Sequence, residues 1–277
     1  MLNLRIKTSV AGVALLVVAL SGCERAPDKT ENPRVLIEKM VQAVGGRDRL
    51  YALKDVEYEY TYHNLTTDKR DVSTERYVFD GELSWAKYSV REKSALPQLQ
   101  GELIEGYNGK QSWATLDGQL IQDPKALRIV DFTRKTNFYW FTMMFKLLDP
   151  GVNFSYKGTK NIAGVDYDLV GVTFDENVGD AQDTYVLYIN PKTHLVDQFL
   201  FTVMDFGVSQ PFLMKVQYEE VEGLKLPAKR RFAPADWEGQ IRKEEWSEEL
   251  SQNIHFNNGF SREMFDPPTT GAISSKN

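Results

Sequence analysis

The stretch from residue 138 to residue 148 constrains the fold most, because it is apolar apart from Thr142 and Lys146. These two residues lie four positions apart and therefore on one side of a helix. A helix that is apolar around nearly its whole circumference must be covered on more than one side. The stretch is too short to cross a bilayer, which takes roughly 20 apolar residues. We therefore predict a buried helical segment that lies across a sheet.

Most of the remaining sequence has the two-residue period of antiparallel strands. Over residues 56–63, a valine and three tyrosines alternate with two glutamates, a threonine and a histidine, which predicts one buried and one solvent-facing side. Asp80-Gly81 and Asn108-Gly109 suit the tight turns of hairpins, and residues 223–227 are predicted as a further turn. The predicted strands are residues 56–63, 75–79, 83–90, 102–107, 111–116, 153–159, 165–174, 184–189, 195–204, 213–221, 228–233, 242–250 and 254–257.

Two Asx-Pro pairs mark predicted helix starts. Asn32-Pro33 and Asp123-Pro124 each combine a favoured N-cap residue with a proline at the first helical position. The first of these helices is predicted to end at Gly45-Gly46. The second is predicted as a short amphipathic helix over residues 126–132, separate from the apolar segment that follows.

The first 22 residues have the form of a secretory signal. Arg5 and Lys7 are its basic region, residues 10–20 are apolar, and small residues are followed at once by Cys23. This pattern resembles the bacterial lipoprotein signal, in which the cysteine is acylated and becomes the new N-terminus. The alternative is an ordinary signal peptide or anchor beside a chance cysteine. Because Cys23 is the sequence's single cysteine, we predict attachment of palmitate-type lipid there.

Cleavage before Cys23 would leave the mature chain with no free thiol, so disulfides and cysteine-based metal sites are not expected. Several acyl chains on one cysteine make a stable membrane anchor. Glu24, next in the sequence, favours the outer membrane by resemblance to known sorting signals, so we predict a lipid-anchored protein that faces the periplasm. Loss of Arg5 and Lys7 lowers the formal net charge from −6 to −8. An acidic chain without a basic run argues against nucleic acid as a partner.

Groups that could perform chemistry are sparse. His63, His194 and His255 have no second histidine or carboxylate at ligand spacing, and the acidic pairs suit a solvated sheet face. The sequence contains no phosphate-binding loop and no hydrolase or metalloprotease motif. We therefore predict no enzyme activity, no metal and no cofactor.

Several hairpin motifs together resemble the lipoprotein-localisation (LolA/LolB-like) superfamily, in particular its uncharacterised lipoproteins. The first is residues 188–193 with the strand that follows, and the second is residues 106–113. The third is residues 218–227, followed later in the sequence by Asn257 and Phe265-Asp266-Pro267. The resemblance covers residues 33–268. It implies an open antiparallel half-barrel of about eleven strands whose helices cover the concave face, where family members hold acyl chains. The resemblance does not place the carrier's lid-locking arginine on any one residue of this chain.

The resemblance also places the family's helical lid on residues 124–148. Independently of it, the sequence predicts a loop over residues 92–101, between two hairpins. That loop is predicted to expose Leu96 and Leu99, either as the receptor's protruding leucine or as a plain loop. The predicted organisation is a signal peptide (1–22), a tether (23–31), a single mainly β domain (32–268) and a flexible tail (269–277).

Two functions remain open from the sequence. One is non-catalytic binding or transfer of a lipid or a lipoprotein acyl chain in a hollow that the apolar segment lines or closes. The other is an interaction module with a packed interior, in which the segment is a core plug and the partner is another envelope protein. For the first, we expect the ligand to contact a set of aromatic and aliphatic side chains: Phe138, Trp140, Phe141, Met144, Phe145, Leu148, Trp85 and Trp113.

Overall fold

The computed structural model describes residues 32–269, apart from residues 177, 180 and 181. The predicted signal peptide, Cys23, the tether and residues 270–277 of the predicted tail lie outside the described residues. The described helices are α1 (Pro33–Ala43), α2 (Arg47–Ala52) and α3 (Pro124–Lys146). The described strands are β1 (Asp55–Asn64), β2 (Lys69–Val78), β3 (Leu83–Arg91), β4 (Leu103–Tyr107), β5 (Ser112–Leu116), β6 (Gln119–Leu120), β7 (Val152–Ile162), β8 (Val165–Phe174), β9 (Tyr185–Ile189), β10 (Val196–Val203), β11 (Val208–Val221), β12 (Leu224–Pro234) and β13 (Ser247–Phe256).

The strands form one open antiparallel sheet in the order β6-β5-β4-β3-β2-β1-β13-β12-β11-β10-β9-β8-β7. Each strand therefore pairs with its neighbour in the chain, except where β1 meets β13. Strands β6 and β7 lie at opposite edges of the sheet, and α3 is the connection between them. The helix must consequently cross from one edge to the other over a face of the sheet.

The length of α3 fits a curved sheet. Thirteen strands spaced about 4.8 Å apart would be about 58 Å wide if the sheet were flat. A helix of 23 residues is only about 35 Å long. A sheet that curls around α3 brings its two edges closer to the ends of this helix, which is then the chord of a half-barrel.

The helix starts follow the capping chemistry in the sequence. The Asn32 side chain accepts a hydrogen bond from the backbone N–H of Arg34 at the start of α1. The Asp123 carboxylate accepts from the N–H groups of Lys125 and Ala126 at the start of α3. Both caps satisfy N–H groups that have no partner within their helix.

The main core lies between the concave face and the helices. It contains the buried side chains of α1, the apolar part of α3 and the inward residues of strands from both halves. A smaller cluster joins Leu96 and Leu103 to Ala126 and Val130 at the start of α3. A third cluster, which includes Tyr188 and Leu200, lies apart from these two.

The half-barrel is confirmed, but it has thirteen strands instead of about eleven. The additional elements include the short β6, which the period-two pattern missed. The strands predicted at residues 242–250 and 254–257 merge into one strand, β13, which begins only at Ser247, so the strand predicted over residues 242–246 is wrong. The turn predicted over residues 223–227 is shorter, because Leu224 and Leu226 are buried and already belong to β12.

Two further predictions were wrong for reasons of burial. The helix at residues 126–132 does not stop before the apolar segment; α3 is continuous, since the intervening Arg134 is buried against carboxylates of the sheet. Leu96 is 0% exposed instead of protruding. Its loop is held by Arg91, whose guanidinium donates to the carbonyl oxygens of Leu96 and Leu99 at 3.0 and 2.7 Å.

Candidate functional site: the groove along helix α3

A cavity of about 1220 Å³ runs along α3 and is lined by that helix and by strands from both halves of the sheet. We call it the α3 groove. Its helical side extends from Arg128 to Lys146, and its sheet side includes residues of β1 and of β9 to β13. The groove exists because α3 is the chord of a curved sheet and does not fill the whole concave face.

One side of the groove is an aromatic wall, which consists of Trp140, Tyr185, Phe201, Phe212 and Phe232. The ring of Phe201 is the centre of this wall, with centroids 5.2 Å from Trp140, 5.5 Å from Phe212 and 5.7 Å from Phe232. Tyr185 extends the wall at 6.3 Å from Trp140. Such contacts fix each ring in place and present a continuous apolar surface.

A second aromatic pair lies further along the groove. Phe132 of α3 and Phe206, just after β10, meet edge to face with centroids 4.6 Å apart. Phe206 is 53% exposed, so an apolar ring stands at the rim where the groove meets solvent.

Each cation that lines the groove has a partner within the protein, and for two of the three that partner is a carboxylate. Arg128 donates to the backbone carbonyl of Asp205 at 3.1 Å, with the Asp205 carboxylate 4.0 Å away. Lys135 and Asp131 lie 3.0 Å apart on successive turns of α3. Lys146 contacts Asp149 at 2.7 Å and also Glu82.

A buried ion pair lies where the groove meets β12 and β13. Arg230 and Glu249 are 3% and 5% exposed, and Nη2 of Arg230 is 2.8 Å from Oε2 of Glu249. Arg230 also donates through Nη1 to the backbone carbonyl of Trp140 at 2.7 Å. The pair therefore joins the sheet to the groove-lining turn of α3.

A second buried ionic cluster fixes α3 to the other half of the sheet. Arg134 donates to the carboxylate of Glu75 at 2.6 and 3.2 Å and to that of Glu105 at 3.0 Å, and all three side chains are 0% exposed. Tyr88 accepts from Arg134 at 3.1 Å and donates to Glu105 at 3.0 Å. Burial raises the pKa of Glu105, an effect that the Arg134 guanidinium opposes.

Sequence reasoning missed both clusters. Glu75 shares the buried side of β2 with Ser73 and Tyr77, so the two-residue period does place its carboxylate on the inner face. An acid at an inward strand position needs a buried cation, which was a usable signal. Which cation it is depends on how α3 crosses the sheet, and no local sequence pattern predicts that path.

The structure distributes the predicted ligand-contacting residues between the groove and the core. Phe138 and Trp140 line the groove. Three others are buried in the main core, and Leu148 packs against it: Phe141, Met144, Phe145 and Leu148. Trp85 lies beneath the guanidinium of Arg76 at 4.7 Å. Trp113 is buried and donates through Nε1 to the carbonyl of Phe265 at 2.7 Å.

Within the described residues, no helix is long and apolar enough to span a membrane. No group of three or more His, Cys, Asp or Glu side chains in the same part of the chain could hold a metal ion.

Comparison with known proteins assigns the fold. Solved structures similar to this chain include a DUF1329 family protein from Desulfovibrio piger (TM-score 0.54, 13% identity, 86% of this chain and 98% of that chain covered). A LolA superfamily protein from Nitrosomonas europaea has a TM-score of 0.50 and 11% identity, and the match covers 85% of this chain and 98% of that chain. A putative outer membrane lipoprotein-sorting protein domain from Vibrio parahaemolyticus has a TM-score of 0.50 and 9% identity, and the match covers 85% of this chain and 97% of that chain.

The chain therefore has a LolA-like fold, as the hairpin motifs predicted. Residues 105–226 match a family of unknown function (DUF6503). No curated protein matches the sequence.

Proposed function

We propose that this protein binds or transfers a hydrophobic ligand, a lipid or a lipoprotein acyl chain, in the α3 groove without chemical reaction. The observation that carries the proposal is the groove itself, with about 1220 Å³ of space beside a continuous aromatic wall. Ligand pockets typically measure about 300–1,000 Å³, so the groove has room for a molecule of lipid size.

The physical basis of binding would be burial of apolar surface. Each Å² of apolar area removed from water contributes about 25 cal/mol. Rings that are already fixed by their neighbours lose little side-chain freedom when a ligand arrives, which lowers the cost of binding. The names of two structural neighbours refer to the LolA superfamily and to outer membrane lipoprotein sorting, and a ligand with an acyl chain is consistent with them.

In this proposal α3 combines the two roles that the sequence left open. Its residues 141–145 are buried and fill the core as a plug would. Its groove-facing side, which includes Phe132 and Trp140, forms one wall of the ligand site. Arg134 and Arg230 hold the helix to the sheet on its two sides.

We further propose the cellular setting. Residues 1–22 act as a lipoprotein signal, and Cys23 carries the lipid anchor. Residues 23–31 are a tether that leads to a single domain over residues 32–268, and residues 269–277 are its flexible tail. The protein would then sit in the cell envelope, on the outer membrane facing the periplasm. An anchored binding domain of this kind can take up ligand only from the membrane or from periplasmic carriers.

Native mass spectrometry of the full chain, purified from bacterial membranes, tests the ligand proposal. We expect a bound lipid mass that is lost in Phe232→Asp, because a carboxylate in the aromatic wall repels apolar chains. The matched control is Trp237→Asp, since Trp237 is 41% exposed and does not line the groove. A ligand-free mass for the wild type, with no uptake of added lipid, would contradict the proposal and favour the interaction module.

A further inference from the structure

Most charges along the α3 groove are paired within the protein. Of the three cations that line it, Lys135 and Lys146 lie 3.0 and 2.7 Å from the carboxylates of Asp131 and Asp149. The third, Arg128, is exposed at the rim, where it donates to the backbone carbonyl of Asp205.

Two lining acids are likewise satisfied by their surroundings. Asp183 accepts from the Thr202 hydroxyl at 3.0 Å and from the Met204 N–H at 2.8 Å. Asp71 accepts from four successive backbone N–H groups, of residues 92–95, at 2.8 to 3.0 Å. These acids have no need of a cationic ligand.

Glu249 differs from the other lining acids. It lines the groove and is 5% exposed. Its Oε2 lies 2.8 Å from Nη2 of Arg230, which makes an ion pair, but the atoms are not aligned as a hydrogen bond. Oε2 therefore has no hydrogen-bond donor among the described residues, and Nε of Arg230 has no acceptor there. A buried polar atom without a partner costs free energy and is a place for a ligand group.

The polar groups near Glu249 include two neutral hydroxyls and one cation. Tyr62 is the strand partner of Glu249 across β1 and β13, and Tyr60 and Tyr62 both line the groove. Lys93 lies over the Tyr62 ring, and burial lowers its pKa to about 8 against the opposing effect of the Glu249 and Asp71 carboxylates. Burial, followed by the nearby Glu249 carboxylate, raises the pKa of both phenols. They stay protonated at physiological pH and offer hydrogen bonds without charge.

We propose that the groove selects a neutral lipid with a free hydroxyl, such as a long-chain alcohol or a mono- or diacylglycerol, whose hydroxyl donates to the Glu249 carboxylate. This inference rests on the proposed function and deepens it by naming the ligand class. An anionic head at this place would be buried beside a carboxylate, and the nearby cation, Lys93, already interacts with Glu249 and Asp71. A cationic head would add an unpaired charge beside the neutral Arg230–Glu249 pair. Both are costly in a site of low polarity.

Four ligands with the same C18 chain separate these possibilities: oleyl alcohol, methyl oleate, oleic acid and oleylamine. Each is titrated separately into the full chain purified from membranes, and bound ligand is counted by native mass spectrometry. We expect oleyl alcohol to bind about tenfold or more tightly than the other three, the difference that a hydrogen bond to a charged acceptor provides.

Two variants assign that preference to Glu249. In Glu249→Gln, Arg230 loses its counter-charge, so the preference should shift from the alcohol towards oleic acid. In the double variant Arg230→Met with Glu249→Met, no buried charge is left unpaired, and oleyl alcohol should bind no better than methyl oleate. Glu220→Gln is the control and should keep the wild-type order, because Glu220 is exposed on β11 and does not line the groove. Circular dichroism verifies that each variant is folded.

The possible failures are distinguishable. If none of the four ligands binds the wild type, the proposed function itself is wrong. If oleic acid or oleylamine binds as tightly as oleyl alcohol, the function stands and the ligand class is wrong. If the folded double variant keeps the preference for the alcohol, Glu249 is not the residue that receives the head group.

Discussion

Arg134 shows how single buried charges position the element that defines the groove. Its guanidinium lies between the carboxylates of Glu75 and Glu105 with no exposure to solvent. Two acids and one cation would leave an excess negative charge, and burial raises the pKa of Glu105. Protonation of Glu105 would make the cluster neutral, so Glu75 is the acid whose charge the cluster requires.

Arg134→Met should therefore destabilise the protein by about 3–5 kcal/mol at neutral pH, because it leaves two buried carboxylates without a cation. The deficit should shrink as pH falls through the carboxyl range. In that variant the pKa of Glu105, which burial raises, is no longer opposed by the Arg134 guanidinium, so the folded state gains a proton at higher pH than the unfolded state does. Denaturant unfolding between neutral and mildly acidic pH measures the difference.

Glu105→Gln is the matched variant and should cost about 1 kcal/mol or less, since it keeps an acceptor and removes the surplus charge. Because burial raises the pKa of Glu105, the wild type should lose stability relative to Glu105→Gln as pH rises through that raised value. Equal costs for Arg134→Met and Glu105→Gln, or a pH-independent deficit in Arg134→Met, would refute this account of the cluster.

At this scale the sequence was informative about side-chain orientation and uninformative about partners. The alternation in β1 correctly placed its tyrosines inward. Glu75 follows the same rule on β2, yet its partner Arg134 is 59 residues away. Contacts of that separation arise from the path of α3 over the sheet, which no local pattern encodes.

At the scale of elements, α3 is decisive because it is at once connection, core element and groove wall. The cap at Asp123 and the apolar run were both visible in the sequence. Residues 133–137, between the two, contain three polar residues beside Arg134 and Lys135. In the folded protein the arginine is neutralised by the sheet and Lys135 bonds Asp131, so the helix continues.

The N-cap of α3 provides a direct test of this element. The Asp123 carboxylate accepts from two backbone N–H groups, so Asp123→Ala should lower the free energy of unfolding by about 1 kcal/mol. Asp123→Asn keeps a side-chain acceptor and should lower the free energy of unfolding by only about a few tenths of a kcal/mol. Urea unfolding distinguishes the two variants, and equal losses would mean that the cap does not stabilise the helix.

At the scale of the whole molecule, two meandering half-sheets are joined where β1 pairs with β13. The Asp55 carboxylate reinforces this junction by accepting from backbone N–H groups of Asn258, Gly259 and Phe260 at 2.6 to 3.2 Å. Hairpins between neighbours were predictable from turn chemistry and periodicity. The curved half-barrel was implied only by the resemblance to the family, and the β1–β13 pairing was not predicted. The groove depends on both.

The proposed membrane anchor is testable with the full chain in a bacterial host. Cys23→Ser should abolish incorporation of labelled palmitate and prevent cleavage after residue 22, because the acylated thiol is missing. Ser21→Ala, which keeps a small residue before the cysteine, should retain both. Labelling that persists in Cys23→Ser would exclude this anchor.

The central claim is that the α3 groove holds an apolar chain, and a crystal structure with a bromine-labelled C18 alcohol tests it most directly. Bromine can be located by its anomalous scattering without any assumption about the ligand's position. We predict an anomalous peak inside the groove, against the wall formed by Trp140 and Phe201. A peak confined to the outer surface, or a groove without bromine at saturating ligand, would contradict the account.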